Sequence, residues 1–364
     1  MLKLLLVCSA LLSAAFVGGV LFLRSARFGA LASGLRLSKI KLSPNFIDGR
    51  FQNLVPIPKS QEPKRLEMLK KAFGRHPNRR PSTPLPSVRE DLRRLPNEAV
   101  VWFGHSTFLL KLSDLLVLVD PVFSDHASPF SFLTKAFPGT NPYHANDIPD
   151  IDCLLISHDH WDHLDYPTIK LLKNKIATFV APLGVGAHLA RWGVPEDRIY
   201  EGDWWDVFEP KPGFKVTLTP SRHFAGRGLK WLMSLWTGFA LEYGNRKILY
   251  TGDGGYGAHF KDIGQKFGAF DLAIVECGQY DELWRHAHLT PEQSVKVALE
   301  VRARAAMPVH LGKFVICYHP WSDPLKRFVA AAEKNDLLAI TPIIGSILDL
   351  TNLKSLPPWW TKIE

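Results

Sequence analysis

Leu154-Leu155-Ile156-Ser157-His158-Asp159-His160-Trp161-Asp162-His163 is an apolar run leading into three histidines and two aspartates in HxHxDH spacing. The apolar part reads as a buried strand and the rest as the loop that follows it. Neutral imidazole and carboxylate together suit a borderline ion such as Zn²⁺. Alternate residues of such a loop can point to one ion while their neighbours reach a second, so His158, His160, Asp162 and His163 are candidate ligands. A lone histidine would carry no such weight; the spacing does.

One loop cannot fill two metal shells, so the other ligands are sought where apolar strands end. Val216-Thr217-Leu218-Thr219-Pro220-Ser221-Arg222-His223 ends in a histidine. Ile248-Leu249-Tyr250-Thr251-Gly252-Asp253 ends in an aspartate, and Ala306-Met307-Pro308-Val309-His310 in a histidine. His223, Asp253 and His310 complete a set of seven. His105 and Asp120, at other strand edges, read as supports for ligands.

Between these points the chain alternates short apolar runs with turns. Strands are predicted at Ala99 to Phe103, Thr107 to Leu112, Leu115 to Val119, Cys153 to Ser157, Thr178 to Ala181, Val216 to Thr219, Gly238 to Tyr243, Lys247 to Thr251, Asp271 to Val275 and Ala305 to His310. Helices alternate with the later ones. Thr290-Pro291-Glu292-Gln293 has a capping-box pattern, and Asp323-Pro324 repeats the cap-then-proline order. The body is therefore mixed α/β.

The order HxHxDH, His, Asp after a Thr-Gly strand end, then His resembles the metallo-β-lactamase superfamily. That implies an αββα four-layer sandwich. Asp48-Gly49-Arg50-Phe51-Gln52-Asn53, Gly104-His105-Ser106-Thr107, Asp120-Pro121-Val122-Phe123-Ser124, Asp203-Trp204-Trp205, Thr251-Gly252-Asp253-Gly254-Gly255-Tyr256 and Pro308 to Phe314 resemble, more narrowly, the N-acylphosphatidylethanolamine-hydrolysing phospholipase D group. The resemblance spans roughly residues 48 to 350. It implies two Zn²⁺ per subunit: one on His158, His160 and His223, the other on Asp162, His163 and His310, with Asp253 bridging. It also implies catalytic roles for Asp162, Asp253 and His288, the last on the substrate side. Two cations sharing a water would supply hydroxide near neutral pH. The expected reaction is hydrolysis of a phospholipid phosphodiester. A lactonase of the ascorbate-6-phosphate type and a non-catalytic metal-binding scaffold are the alternatives. A di-iron reductase would need a glutamate at position 160 and a flavin domain, and neither is present. One departure stands out: Gly312-Lys313-Phe314 replaces the group's common Gly-Thr-Phe and places a cation near the site.

The net charge of +9 is unevenly spread. Residues 1 to 94 hold 18 Lys+Arg against 5 Asp+Glu, leaving 26 against 30 in the remainder. This basic arm follows an apolar run from Leu4 to Leu23, long enough for one membrane-spanning helix. A cleaved signal is the competing reading, with Ser13-Ala14-Ala15 as a weak cleavage site, but Phe16 to Leu23 stays apolar beyond it, which favours a retained anchor. Arg24, Arg27, Arg36, Lys39 and Lys41 place the body on the cytoplasmic side. The division expected is an anchor over 1–30, a basic extension over 31–96 with a helix from about Pro63 to Phe73, the hydrolase domain over 97–352 and a tail over 353–364. Expected partners are a phospholipid or small ester and the membrane surface, with an oligomer allowed and no nucleic acid. Cys8, Cys153, Cys277 and Cys317 show no CxxC spacing and read as free thiols.

Overall fold

The computed structural model describes residues 2–56 and 65–363. A helix α1 (Leu2–Leu23), a short helix α2 (Gly34–Lys41), a hairpin of β1 (Phe46–Ile47) and β2 (Arg50–Phe51), and a helix α3 (Arg65–Ala72) precede the body. The first two residues of the helix expected from Pro63 lie outside the described residues.

Two seven-stranded sheets form the body. The first contains β3 (Ala99–Trp102), β4 (Phe108–Leu112), β5 (Leu115–Val119), β6 (Ile151–Leu155), β7 (Ile176–Pro182) and β8 (Ile199–Gly202). The second runs through β9 (Val207–Lys211), β10 (Phe214–Thr219), β11 (Gly238–Tyr243), β12 (Arg246–Tyr250), β13 (Leu272–Glu276), β14 (Ala305–Val309) and β15 (Leu338–Ala339). The last strand, β16 (Ile347–Asp349), returns to pair with β3 in the first sheet. Both sheets follow one plan, an antiparallel meander leading into parallel strands. The chain contains no sequence repeat to announce this duplication.

Alternation along the strands decides which layer each side chain joins. Val100, Leu110, Val117, Val119 and Leu155 face the second sheet, whose Val216, Leu218, Phe239 and Tyr250 share the facing side. Their neighbours Val101, Leu109, Leu118 and Leu154 turn outward. There they meet Ile169 and Leu172 of α4 (Tyr166–Leu172) and Leu189 of α5 (Gly186–Arg191). The far face of the second sheet is covered by α6 (His259–Phe267), α7 (Pro291–Glu300) and α8 (Asp323–Lys334). The order of layers is helix, sheet, sheet, helix. Each fully buried Leu, Val or Phe stabilises this by roughly 1.5–3 kcal/mol.

The capping box at α7 is formed: Gln293 N donates to Thr290 Oγ1 at 3.3 Å, and Thr290 N to Gln293 Oε1 at 3.0 Å. At α8 the cap moves back one residue to Ser322, because Asp323 is already helical with Pro324 in the first turn. Cys153, Cys277 and Cys317 are buried free thiols, whereas Cys8 is exposed.

The N-terminal run forms α1, but among the described residues no helix is long and apolar enough to cross a membrane. The single-pass anchor is therefore unsupported. The helix leaves Leu11, Leu12, Phe16 and Leu21 exposed, and its end rests on the body through Phe22, stacked on Phe130 at 4.9 Å.

Candidate metal centre

Strands β5, β6, β10, β12, β13 and β14 all deliver their C-terminal ends to one edge of the sandwich, where loops from different strands converge. All seven predicted ligands meet there. His158 Nε2 lies 2.9 Å from His160 Nδ1, and His223 Nε2 lies 3.3 Å from the same atom, so three nitrogens face one point. Asp162, His163 and His310 form a second group with His105. Asp253 stands between: its Oδ2 is 3.1 Å from His163 Nε2, 3.2 Å from His310 Nε2, and 3.9 Å from both His158 Nε2 and His223 Nε2.

Hydrogen bonds behind the rings decide which nitrogens face inward. Asp120 is the hub. Its Oδ2 accepts from His163 Nδ1 (2.8 Å), Ser157 Oγ (2.6 Å) and Tyr250 OH (2.7 Å), and its Oδ1 from Ser157 N (2.7 Å). Because the Ser157 hydroxyl proton is given to Asp120, its oxygen accepts from His158 Nδ1 at 3.0 Å. His223 Nδ1 donates to Ala287 O at 2.9 Å, and His310 Nδ1 bonds with Ser106 Oγ at 3.1 Å. His105 Nε2 donates to Asp162 Oδ2 at 2.8 Å. The Nδ1 bonds of His158, His163, His223 and His310 turn their Nε2 lone pairs toward the centre, as outer hydrogen-bond partners do for metal-ligating histidines, while the His105 bond orients the Asp162 carboxylate.

Three side-chain atoms at the centre, His163 Nε2, His310 Nε2 and Asp253 Oδ1, are buried without a hydrogen-bond partner. Such atoms are costly unless something fills the space among them. Burial, reinforced by neighbouring imidazoles, holds His158 well below the ordinary histidine range, and burial does the same to His223 and His310. They are neutral, the form in which imidazole binds metal. Burial opposes charge on Asp253 and His163 as well. His163 and His310 nonetheless hold Asp253 well below the carboxylate range, while Asp253, Asp162 and Asp120 hold His163 well above its own. Three buried carboxylates around so few positive groups are a negative surplus that cations would neutralise. The donor set thus fits a metal.

The backbone is strained to the same end. His105, Asp120 and His310 have φ of 52°, 41° and 64°, a left-handed conformation costing roughly 1–2 kcal/mol per non-glycine residue. His105 and His310 are held in it by mutual pairing, His310 N to His105 O (3.0 Å) and His105 N to Leu311 O (2.9 Å). Gly252, just before Asp253, has φ 60°, and a Cβ there would meet Thr237 O at 2.2 Å. Only glycine fits at that turn.

A profile of the β-lactamase superfamily domain matches residues 116–311, the span that supplies six strand ends and all seven converging side chains. The chain belongs to the metallo-β-lactamase superfamily. An uncharacterized Mycobacterium tuberculosis protein is 39% identical over 347 residues, 92% of each chain. The N-acyl-phosphatidylethanolamine-hydrolyzing phospholipase D 1 of Caenorhabditis elegans is 34% identical over 269 residues, 69% of this chain and 75% of that one. Among solved structures, a metallo hydrolase from the archaeon Ignicoccus hospitalis superposes with a TM-score of 0.54 at 18% identity, covering 69% of this chain and 97% of that one. That last likeness concerns the fold. Like other members of the superfamily, this protein is a metal-dependent hydrolase.

Within that framework, His288 lies beside both ligand groups, its ring stacked on His310 at 5.2 Å and edge-on to His223 at 5.1 Å. Its Nδ1 donates to Glu276 Oε1 at 2.8 Å, which keeps His288 above its ordinary value in spite of burial. Glu276 was not foreseen from the sequence. The signal was present, since it is the charged last residue of apolar β13, between the strands that deliver Asp253 and His310. Ser106 and Asn53 were likewise missed as individual residues. Asn53 clamps His223 from both sides, accepting from His223 N at 3.0 Å and donating to its carbonyl at 2.9 Å.

Lys313 is not beside the metal-facing atoms, contrary to expectation. It is buried with Nζ donating to Val122 O at 2.8 Å, beneath the loop after β5. Burial lowers it to about 7, and the nearest charge offsetting that is Asp165. The Trp231 to Trp236 stretch divides: Trp236 is buried with Nε1 bonded to Ser221 O, while Trp231 is half exposed, 6.3 Å from the His160 ring.

Proposed function

We propose that this chain is a zinc-dependent phosphodiester hydrolase acting on a membrane phospholipid of the N-acylphosphatidylethanolamine kind. The observation that carries this reading is the placement of Asp253 Oδ2 within 3.1 to 3.9 Å of four imidazole nitrogens drawn from two groups. One ion would be held by His158, His160 and His223, the other by Asp162, His163 and His310, with Asp253 shared. Bound zinc lowers the pKa of water and neutralises charge on phosphoryl oxygens. In the reaction a water oxygen bonds to phosphorus, the bond from phosphorus to the headgroup alcohol oxygen breaks, and the alcohol leaves with a proton. His288, oriented by Glu276, presents its Nε2 edge to a substrate oxygen. Asp120, His105 and Ser106 keep the ligands in place and touch no substrate.

A lipid substrate is supported by the exposed apolar residues beside the site. Leu229 and Trp231 stand exposed on the His160 side, and α1 presents Phe16 and Leu21 with Arg24 and Arg27 following. These suit contact with a phospholipid surface, basic residues at the headgroups and apolar ones below them. The named activity of the C. elegans relative points the same way.

The test is a screen of the zinc-loaded chain against N-acylphosphatidylethanolamine vesicles, bis(p-nitrophenyl) phosphate and a lactone panel, with elemental analysis of bound metal. Diester cleavage with two zinc ions per chain is expected. Lactone turnover without diester turnover would reject the phosphodiesterase reading.

A further inference from the structure

A second set of side chains, just behind the metal-facing ones, faces the other way, toward the N-terminal arm. Arg227 is buried, yet among the described residues no carboxylate pairs with it directly. Its Nη1 donates to the carbonyls of Asp159 at 3.1 Å and Leu164 at 2.5 Å, both in the HxHxDH loop. Its Nε and Nη2 donate to Arg27 O in the arm, at 3.2 and 3.1 Å. The guanidinium lies over Trp161 at 3.9 Å, and Phe28 packs edge-on against that same indole at 5.2 Å. One planar cation thus joins the arm to the ligand loop.

A second link runs in parallel. Ala30 N donates to His188 Nδ1 at 3.0 Å, and His188 Nε2 bonds to Asp159 Oδ2 at 3.1 Å. Asp159 is flanked by the ligand candidates His158 and His160 but faces away from the centre. It also accepts from Ser234 Oγ at 2.7 Å and Gly226 N at 2.7 Å, and so ties the loop to the segment after His223. Three further bonds complete the seat of the arm: Trp192 Nε1 to Ala26 O at 2.6 Å, and Arg191 to the carbonyls of Gly29 and Arg24, both at 2.5 Å. In these hydrogen bonds the body contributes side chains and the arm backbone groups, to which the arm adds the Phe28 ring on Trp161 and a bond from Arg27 Nη1 to Pro129 O at 2.7 Å. Gly29 alone is constrained by identity, with φ 68° and space so close that a Cβ would lie 1.8 Å from His188 Nδ1.

We infer that the arm from Arg24 to Ala30 is part of the metal centre: through Arg227 and the His188–Asp159 pair it positions the loop carrying His158 and His160, and so sets the affinity of the ion on the three-histidine side. Arg227 and Asp159 are positioning residues, acting on ligands they do not replace. A lysine cannot reproduce the Arg227 contact, because a single ammonium on a flexible stem has no planar fork with which to span the arm and the loop. The inference is independent of the substrate proposed above, since it concerns metal retention.

The test uses the full chain loaded with zinc and titrated with a chelator, with zinc measured at each step. Arg227→Lys is introduced into a His310→Ala chain, where the three-histidine side is left intact, and into a His223→Ala chain, where it is not. A tenfold to hundredfold loss of zinc affinity is expected in the first background, the range typical of lost outer-shell partners. No comparable change is expected in the second. Equal loss in both, or no loss in either, overturns the inference. Thermal melting in saturating zinc checks folding. If Arg227→Lys does not fold, Gly29→Ala, which dislodges the arm from His188 without touching the loop, is read by the same criterion.

Discussion

His163 and His310 lean on the sheets, whereas His160 and His223 lean on what precedes the sheets. Behind His163 stands Asp120 at the end of β5, held by Ser157 and by Tyr250 of β12, and behind His310 stands Ser106 in the β3–β4 turn. Behind the His223 backbone stands Asn53, just past the β1–β2 hairpin, while its ring rests on Ala287 O, and behind the His160 loop stand Arg227 and the arm. Two ligand groups that share Asp253 therefore have supports of different kinds. Groups at strand ends inherit the rigidity of the core, while a loop held by peripheral backbone opens more readily. One half of the centre is set by the sandwich and the other by its N-terminal wrapping.

The largest effect is expected where the halves meet. Asp253→Ala should release zinc from both groups and lower hydrolysis by roughly a thousandfold or more, several kcal/mol of lost transition-state stabilisation. His126→Ala, at a ring paired with neighbouring Asp125 away from the centre, should leave both unchanged. A fully active Asp253→Ala protein would end the shared-carboxylate account. Of intermediate size, Asp120→Asn should weaken zinc roughly tenfold to a hundredfold on the His163 side, where Asp120 accepts directly, and less on the other side, which it reaches only through Ser157 and His158. Chelator titration in the two single-ligand backgrounds reads this, and loss on the His160 side instead would erase the contrast between the halves.

The smallest effect concerns Lys313, buried under the sheet-supported half. Its folded value of about 7 lies below the ordinary 10.5, so between those limits the unfolded chain binds more protons. Stability from this group accordingly rises with pH across that interval and is lowest below about 7. Lys313→Met removes the penalty, and should raise the melting temperature by several degrees at pH 6.5 and flatten its rise toward pH 9.5. Parallel pH slopes for the two proteins would show that Lys313 carries no such penalty.

Much of this was legible from residue order. Ten predicted strands appear within two residues of their expected ends, because apolar runs broken by turn residues are local signals. Strands β8, β9, β15 and β16 were not foreseen. They are edge or near-edge strands, with partly exposed side chains and little apolar contrast. The apolar run of α1 suggests a span by its length, yet among the described residues no helix is long and apolar enough to cross a membrane. Asn53 lay inside a quoted motif without its partner being apparent, and the destination of Lys313 was invisible because position 313 is near His310 in the chain but turns beneath another loop.

Residue types and their spacing determined the chemistry: imidazoles and carboxylates at the ends of apolar strands are local facts, since strand direction and turn placement depend on neighbours. Which supports hold those ligands was decided only in three dimensions. Arg27 and Arg227 are two hundred positions apart, and a hydrogen bond over that distance depends on every layer packed between them.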